Sequence, residues 1–383
     1  MSMSMNRRQR LMATLRGEPV DRPAVSFYEI GGWILDPDDP DPFNVYNGPG
    51  WRELIQLAES ATDLIRMVTP EAHPTSDNPV DTIRHIETID QEDKRFTRTV
   101  LQVGNKTLSS TTRRDRDVAT SWTIEPLLKG PEDLDLYLSL PAEFFAYTYD
   151  VVPLQKAEEA LGDAGIVMVD VADPLCRAAS LFDLETYTIV ALTEPLRFHA
   201  LLEKLAVSTY AMVTAVCERF PGRLWRIVGS EYASDPLLPP RLYREYEVRY
   251  TQPIVTTIQQ SGGFARLHSH GRLRRILSDI AEMGPDGLDP IEPPPQGDMT
   301  LQEVGARIGS QTVLFGNIEV SELQQMAPEA FEMRVRKAVR QGFARDRRGF
   351  VLMPTSCPYG RTVSKRLLQN YETMVRVVEA WRV

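Results

Sequence analysis

The sequence has little cysteine, no leader and no excess of positive charge, and each shortage excludes a class of protein. Its 383 residues include three cysteines, Cys176, Cys217 and Cys357, which are too few and too scattered for a disulfide framework. No charged-then-apolar leader opens the chain, and no run approaches the roughly 20 apolar residues of a membrane span. The formal net charge of −10 does not attract nucleic acid or an anionic membrane. We therefore expect a soluble, reduced, cytoplasmic protein without nucleic-acid or membrane partners.

What is present is a regular alternation of short apolar runs and longer amphipathic segments. Hydrophobic residues make up 42 % of the chain and charged residues 25 %, as in ordinary globular proteins. Eight runs read as strands, each followed by a helical pattern. They are 24–28, 63–68, 166–170, 224–229, 264–268, 287–288, 312–316 and 349–353. This pattern predicts an α/β fold, a (β/α)8 TIM barrel. A doubly wound sheet is the alternative, but no glycine-rich dinucleotide fingerprint follows a strand.

Two features are added to this barrel. An N-terminal helix is predicted over residues 6–15, because apolar side chains share one face there and Gly17 and Pro19 end the pattern. Residues 81–130 form a β-rich insertion of antiparallel hairpins, since short alternating runs replace the helical pattern. We expect residues 1–383 to form a single barrel domain that carries this insertion.

Polar side chains stand at the ends of the predicted strands. In a TIM barrel these positions meet at one mouth, where the chemistry takes place. The residues concerned are Tyr28, Glu29, Asp170, Asp173, Glu231, His268, His270, Glu292, Asn317 and Cys357. Structural interpretations stand beside this one, because Asp170 and Asp173 are also suited to cap a helix and Asn317 to turn the chain.

A pair of histidines and one cysteine are the candidates for a metal site. His268 and His270 lie two residues apart at one strand end, and Cys357 follows the last strand. Zinc prefers imidazole and thiolate ligands, and three protein ligands leave a fourth position for substrate. We predict that these three residues form a metal site. An inert buried thiol and hydrogen-bonded core histidines are the structural alternative.

The remaining candidates are assigned to catalysis and substrate binding. Glu231 and Glu292 follow strands and are each an alternative third ligand, or the general acid that protonates a leaving group. We assign Glu231, Glu292 and Asp170 to catalysis. The loop from Glu29 to Pro49 is long and rich in glycine and proline, and we expect it to close over substrate. Substrate binding is assigned to Tyr28, Glu29, Trp33 and Asn317.

Four segments resemble a known family. They are Arg7–Pro23, His268–Gly271, Leu314–Ile318 and Gln369–Tyr371. Together they are similar to the uroporphyrinogen decarboxylase superfamily, and most to its zinc-dependent corrinoid methyltransferase branch. The resemblance covers nearly the whole chain and is weakest across the β-rich insertion. It implies a (β/α)8 barrel with a zinc site at its mouth.

The same resemblance implies which residues bind the metal. The methyltransferase branch carries His-x-Cys where this chain has His268-Ser269-His270, and it carries a later cysteine that Cys357 matches. His268 and Cys357 therefore transfer directly, whereas His270 replaces a cysteine. The founding decarboxylase branch carries an Arg-Gln-Ala-Gly-Arg segment after its first strand for a tetracarboxylate. Residues 27–33 contain Glu29 and no arginine, which argues against haem-pathway decarboxylation.

The resemblance thus implies a methyltransferase that moves a methyl group between a small methyl donor or acceptor and a corrinoid (cobalamin). A separate corrinoid-binding protein would present the corrinoid, because no segment resembles the Asp-x-His-x-x-Gly cobalt-ligating motif. Family habit suggests a possible homodimer. The alternatives are a decarboxylase, a lyase acting on a smaller acid, and a barrel that binds without catalysis.

The exchange of cysteine for His270 bears on the substrate. Two neutral imidazoles and one thiolate leave zinc with a net positive charge, whereas one imidazole and two thiolates leave it neutral. A more positive metal stabilises a departing oxygen anion better. We therefore expect the substrate to be a methyl ether that is demethylated, rather than a thiol that is methylated.

Overall fold

The computed structural model describes residues 4–344 and 346–381. Fourteen strands lie in this part of the chain, and those of the barrel sheet are short and buried. They are β1 (Ala24–Val25), β2 (Leu64–Val68), β3 (Glu71–Pro74), β4 (Arg84–Gln91), β5 (Lys94–Val103), β6 (Lys106–Asp115), β7 (Ser121–Glu125), β8 (Tyr147–Asp150), β9 (Gly165–Ala172), β10 (Leu224–Val228), β11 (Phe264–Ser269), β12 (Gly287–Pro290), β13 (Val313–Ile318) and β14 (Phe350–Pro354).

Eight of these strands form one parallel sheet in the order β1-β14-β13-β12-β11-β10-β9-β2. They are the eight predicted strands, and neighbours along the chain are mostly neighbours in the sheet. The outermost strands, β1 and β2, are connected by two main-chain hydrogen bonds, Asp63 N to Val25 O at 2.8 Å and Met67 N to Gly32 O at 2.9 Å. The sheet therefore curls until its edges approach, which gives a TIM-barrel-like α/β fold.

Fifteen α-helices lie in the described residues, and the longer ones follow the parallel strands. They are α1 (Arg7–Arg16), α2 (Trp51–Ala61), α3 (Val80–Ile83), α4 (Pro131–Leu138), α5 (Val152–Leu161), α6 (Pro174–Ala179), α7 (Leu184–Thr193), α8 (Pro195–Arg219), α9 (Pro240–Leu242), α10 (Arg249–Gln260), α11 (Leu277–Met283), α12 (Leu301–Ile308), α13 (Val320–Gln325), α14 (Pro328–Gly342) and α15 (Lys365–Glu379).

The N-terminal helix α1 lies at the end of the barrel opposite the strand C-termini. Asn6 caps it, with a reciprocal bond from the Gln9 side chain, and Gly17 ends it in a left-handed conformation. Leu11 and Leu15 pack against the first residues of the strands inside the barrel. Arg10 binds the buried Asp63 at 2.6 Å, which fixes the helix to the edge of β2.

Within the described part of the chain, α8 is the one helix long and apolar enough to cross a membrane. Half of its most apolar stretch is buried inside the fold, with Leu201, Leu205 and Val213 in the hydrophobic core. The core helix of a soluble protein meets the same length and composition criteria. α8 is thus weak evidence for a membrane span.

The predicted β-rich insertion is an antiparallel sheet of four strands, β4-β5-β6-β7. A separate antiparallel pair, β3 and β8, flanks it on both sides along the chain. Helices differ more from expectation than strands do. The sequence carries a helical pattern from Arg272 to Met283, but α11 begins only at Leu277. It carries another from Pro240 to Gln260, where a π-helical segment, Tyr243–Val248, separates α9 from α10.

The barrel interior changes from apolar to charged towards the strand C-termini. Residues alternate between the two faces of a strand, so every second side chain points inward. The lower layers are apolar and include Ile166, Met168 and Phe315. Above them come Arg226, on β10, and Arg266, on β11, both at most 8 % exposed. Charged side chains in a barrel interior need partners, and those partners form the site described next.

Candidate functional site

Two histidines stand at the C-terminal end of β11. His268 is the inward-facing residue two positions after Arg266 and is buried, whereas His270 follows the strand and is partly buried. Their ring centroids lie 4.6 Å apart with an interplanar angle of 82°. The predicted spacing of two residues therefore places both rings side by side at the barrel mouth.

A carboxylate on the neighbouring strand fixes the His268 ring. Asp289 on β12 lies opposite His268 in the register, and its Oδ2 accepts a hydrogen bond from His268 Nδ1 at 2.7 Å. Its Oδ1 accepts from Arg266 Nε at 2.5 Å. Burial by itself raises the pKa of the Asp289 carboxyl, but Arg266 and His268 outweigh it and hold that pKa well below its usual range. Asp289 is therefore ionised.

A second carboxylate fixes the His270 ring. Glu292 Oε1 accepts from His270 Nδ1 at 2.8 Å, and Oε2 accepts from the Gly271 N–H at 2.6 Å. Burial opposes protonation of His270, but the bond to Glu292 raises its net pKa. Burial likewise opposes ionisation of Glu292, but His270 lowers its net pKa. The preceding Ile291 has φ +54°, a conformation that branched residues avoid and that tends to occur at functional sites.

Both histidines therefore present the same nitrogen outward. An ionised carboxylate can only accept a hydrogen bond, so Nδ1 carries a proton in each ring, and Nε2 is the nitrogen that offers a lone pair when the ring is neutral. Metal-binding histidines in proteins are held in this way by a carboxylate behind the ring. The donor set formed by His268 and His270 thus fits zinc.

Cys357 lies across from the histidines in the loop after β14. Its Sγ donates to Glu29 Oε2 at 2.8 Å, and Glu29 belongs to the tight turn after β1. Burial and the nearby Glu29 carboxylate raise the pKa of the Cys357 thiol well above its usual range. Without a metal the sulfur therefore stays protonated, and a bound cation would have to displace that proton.

The three predicted ligands are near the barrel mouth but are not preassembled. In the described part of the chain, Glu71, His73 and Asp150 form a cluster of metal-binding side chains whose ligand atoms all lie within 4.8 Å of one another. It is a largely exposed group on the β3–β8 pair. The ligand atoms of His268, His270 and Cys357 do not all lie within that distance of one another. Side-chain movement would therefore have to bring Cys357 to the histidines.

Tyr28 occupies the centre of the barrel beneath His268. Its ring is stacked on the His268 ring with centroids 6.1 Å apart, and its hydroxyl accepts a hydrogen bond from Arg226. Tyr28 has φ +60°, which keeps the extended chain from continuing beyond residue 27 and turns it towards Glu29. An added Cβ at Gly32 would lie 2.3 Å from the Tyr28 carbonyl oxygen, so this turn requires glycine there.

Asp170 and Glu231, both predicted to be catalytic, have different surroundings. Asp170 Oδ1 accepts from Arg226 Nε at 2.6 Å, so its charge is compensated. Glu231 follows β10, and its Oε2 is buried without a hydrogen-bond partner among the described residues. The Glu231 charge also contributes to the raised pKa of His270, which places it near that ring. Glu231 is the freer of the two to exchange a proton.

The two remaining predicted residues lie on either side of this centre. Asn317 on β13 is buried, and its Oδ1 accepts a weak bond from Arg334 at 3.3 Å. Trp33 is partly buried and packs on the apolar cluster inside the barrel. The main-chain N–H of Trp33 donates to the Glu29 carbonyl at 2.8 Å, so Trp33 belongs to the turn that positions Glu29.

The sequence interpretation missed the charged layer beneath the histidines. Arg226, Arg266 and Asp289 hold the site together, yet none was singled out. A signal was present, because a charged residue inside an otherwise apolar strand is expensive to bury unless it is paired. Asp289 was hidden because the predicted strand 287–288 stopped one residue before it.

Comparison with solved structures finds a protein of similar fold. A methyltransferase from Methanosarcina mazei aligns over 98 % of this chain and 99 % of its own, with 17 % identity and a TM-score of 0.62. A D-psicose 3-epimerase aligns over 64 % and 85 % with 7 % identity and a TM-score of 0.34. A Bacteroides ovatus GH5 xyloglucanase aligns over 82 % and 97 % with 10 % identity and a TM-score of 0.32. The last two likenesses are too distant to support any argument.

Comparison of the sequence with family models gives a direct assignment. A search of curated proteins finds no significant match. The model of the family described as uroporphyrinogen decarboxylase (URO-D) matches residues 120–381, which span β10 to β14 and both histidines. That match covers well over half of the chain, and the resemblance noted in the sequence is thereby confirmed. The protein belongs to the uroporphyrinogen decarboxylase family.

Proposed function

We propose that the protein is a zinc-dependent methyltransferase. It moves a methyl group between a small methylated compound and a corrinoid carried by a separate protein in the cytoplasm. The observation that supports this most is the pair of imidazoles whose Nδ1 atoms are both held by carboxylates, at 2.7 and 2.8 Å. The fold similarity to a methyltransferase along nearly the whole chain supports it as well.

His268, His270 and Cys357 would hold the metal. Asp289 and Glu292 keep the two Nε2 lone pairs free and raise the basicity of the rings. Glu29 lies against the Cys357 sulfur and is placed to accept its proton. When bound, zinc would act as a Lewis acid towards the substrate heteroatom.

The charge of this set favours an oxygen substrate. His270 is neutral where a cysteine would bring a negative charge, so the three side chains together contribute the charge of one thiolate. We propose that the substrate is a methyl ether. When the methyl group passes to the corrinoid cobalt, the ether oxygen stays on the remainder of the substrate, keeps the bonding electron pair and takes a proton. Glu231, with its unpartnered Oε2, is the residue we assign to that protonation, whereas Glu292 is engaged by His270 and Gly271.

An assay of methyl transfer tests this function. The full chain is loaded with zinc and used in two reactions. One contains free cob(I)alamin and an aryl methyl ether, and the other contains methylcobalamin and a thiol. The cobalamin absorbance is followed in both. We expect methylcobalamin to form from the ether. Cys217→Ala, in α8, should retain this activity, whereas His268→Ala should lose it.

Three results would contradict the proposal in different ways. Methylation of thiols without ether cleavage would overturn the substrate class. Carbon dioxide release from a small organic acid, without methyl transfer, would make the protein a decarboxylase. Full activity of His268→Ala would show that the histidine pair is not the reaction site.

A further inference from the structure

A second feature of the barrel mouth is a cavity beside the β3–β8 pair. Its volume is about 410 Å³, within the range of small-molecule sites. The walls come from β8, the end of β9, α6 and α8, and include the rings of Phe145, Tyr147 and Tyr149. The cavity is large enough for a small organic molecule, and these rings would contact an apolar part of it.

Arg177 of α6 lines the cavity with an incompletely used guanidinium. Its Nη1 donates to Leu205 O at 2.9 Å, Ser208 Oγ at 2.7 Å and Thr209 Oγ1 at 2.7 Å. All three acceptors belong to α8 and all are neutral. In the described part of the chain, Nε and Nη2 of Arg177 have no hydrogen-bond partner. These two atoms form the planar edge that binds carboxylates with two parallel hydrogen bonds.

Within residues 4–344 and 346–381, the charge of Arg177 has no counter-charge. No described carboxylate forms an ion pair with it, unlike the arginines of the barrel centre. Asp170, the one acidic residue among the described cavity walls, is already bound by Arg226 at 2.6 Å. Burying a cation without an anion is unfavourable, and burial lowers the pKa of the Arg177 guanidinium. An anion in the cavity would remove this cost.

We propose that this cavity binds a small organic carboxylate with an apolar body. The two carboxylate oxygens accept hydrogen bonds from Nε and Nη2 of Arg177, and the apolar body lies against the tyrosine and phenylalanine rings. The α8 acceptors hold Nη1 and so keep the planar edge turned away from the helix. This site does not depend on zinc or on the methyl transfer proposed above.

The test measures binding of benzoate and of benzamide, its neutral counterpart, to the full chain by calorimetry. We expect benzoate to bind and benzamide to bind at least about tenfold more weakly. Arg177→Gln should weaken benzoate by at least about tenfold, to the level of benzamide. The control is Arg197→Gln, which makes the same charge change on exposed α8 surface and should leave benzoate affinity unaltered.

A second variant covers the possibility that Arg177→Gln does not fold. Met212→Trp keeps Arg177 and fills the cavity from α8, so it should abolish benzoate binding while circular dichroism stays that of the wild type. The proposal is overturned if benzoate and benzamide bind equally, or if neither binds at about 10 mM. If Arg177→Gln and Arg197→Gln lose the same amount of benzoate affinity, the general charge of the protein surface explains the loss, and the proposal is wrong. Tighter binding of inorganic phosphate than of benzoate would contradict the carboxylate class.

Discussion

Two groups of carboxylates beneath the same barrel mouth have opposite surroundings. Asp289 and Glu292 each accept from a histidine ring and from a second N–H donor. Asp173 and Glu247 are hydrogen-bonded to each other, and Glu231 has a buried oxygen without a hydrogen-bond partner among the described residues. The first group is fixed by cations and hydrogen bonds. The second is packed into the protein with little to compensate its charge.

The pKa values follow this difference. Burial raises the pKa of Asp173 to about 7, against the hydrogen bond that it accepts from the Cys176 N–H. Burial and the neighbouring Asp173 raise the pKa of Glu247 well above its usual range. The partners of Asp289 and Glu292 instead lower their net pKa values. Asp289 and Glu292 thus serve as fixed charges that orient the imidazoles, while Asp173 and Glu247 hold a proton between them at neutral pH.

The largest expected effect comes from removing a fixed charge. Asp289→Ala leaves Arg266, which is 1 % exposed, without an anionic partner. Breaking a buried ion pair from one side costs about 3 to 5 kcal/mol of unfolding free energy, and His268 loses its orienting partner as well. Urea denaturation measures the loss of unfolding free energy, and zinc content measures the effect of the lost His268 partner. Asp38→Ala, which removes an exposed pair with Arg52, is the control and should change neither. Normal stability of Asp289→Ala would contradict this account of the charged layer.

A smaller effect is expected where the charge of the site changes but its ligands remain. His270→Cys restores the two thiolates of the family pattern and adds one negative charge to the ligand set. We expect ether cleavage to fall by about tenfold or more, because a departing oxygen anion is then less stabilised. Initial rates with an aryl methyl ether measure it, and zinc content should stay the same. Faster ether cleavage by His270→Cys would show that His270 does not set the substrate preference.

The buried pair Asp173 and Glu247 predicts a pH dependence of stability. Unfolded Asp173 loses its proton near pH 3.9, whereas folded Asp173 keeps it to about pH 7. The folded state therefore binds more protons between these values, and the stability from this group is full below the lower value and is lost as pH rises through the higher one. Asp173→Asn should remove that loss, which is at most about 1.4 kcal/mol per pH unit for one proton.

Urea denaturation at pH 5, 6, 7 and 8 compares wild type with Asp173→Asn and with Glu247→Gln. These amides cannot ionise, so we expect the difference from wild type to shift in their favour as pH rises. An unchanged difference across this range would show that the pair is not protonated in the folded protein. Gly229 gives room to the Asp173 carboxylate, since an added Cβ would lie 2.2 Å from Oδ1.

The smallest effect concerns the turn that carries Glu29. Trp33→Ala removes a partly buried ring from the inner apolar cluster. If Trp33 contacts substrate, as the sequence suggested, about 1 kcal/mol of binding is lost and KM rises about fivefold, with kcat little changed. Steady-state kinetics with the methyl ether separate the two constants. A fall in kcat with unchanged KM would place Trp33 in support of Glu29 instead.

The fold was accessible from the sequence because its signals are local. Val313–Phe315 of β13 and all of β14 are apolar, and α12 begins at Leu301, where Thr300 and Glu303 form a capping box. The short β1 was overestimated, since Tyr28 adopts a positive φ that only tertiary contacts can impose. The start of α11 was misplaced by five residues for lack of a capping signal at Arg272.

The site was accessible only in part. The histidine spacing and the family likeness placed His268, His270 and Cys357 at strand ends. The partners that give them their properties come from other strands, such as Asp289 beside His268 and Glu29 beside Cys357. Such pairs depend on the register of neighbouring strands, and no local pattern encodes it. Whether Asp170 is free to exchange a proton likewise depends on Arg226, which lies on another strand and far from Asp170 in the sequence.

The most direct test of the central claim, a zinc site at the barrel mouth, is the zinc content of three cysteine variants. Zinc per chain is measured on purified protein after dialysis, with circular dichroism as a check of the fold. We expect about one zinc in wild type, in Cys176→Ala and in Cys217→Ala, and none in Cys357→Ala, because only Cys357 lies beside Glu29 at the mouth. Wild-type zinc content in Cys357→Ala, or equal loss from all three variants, would contradict the account.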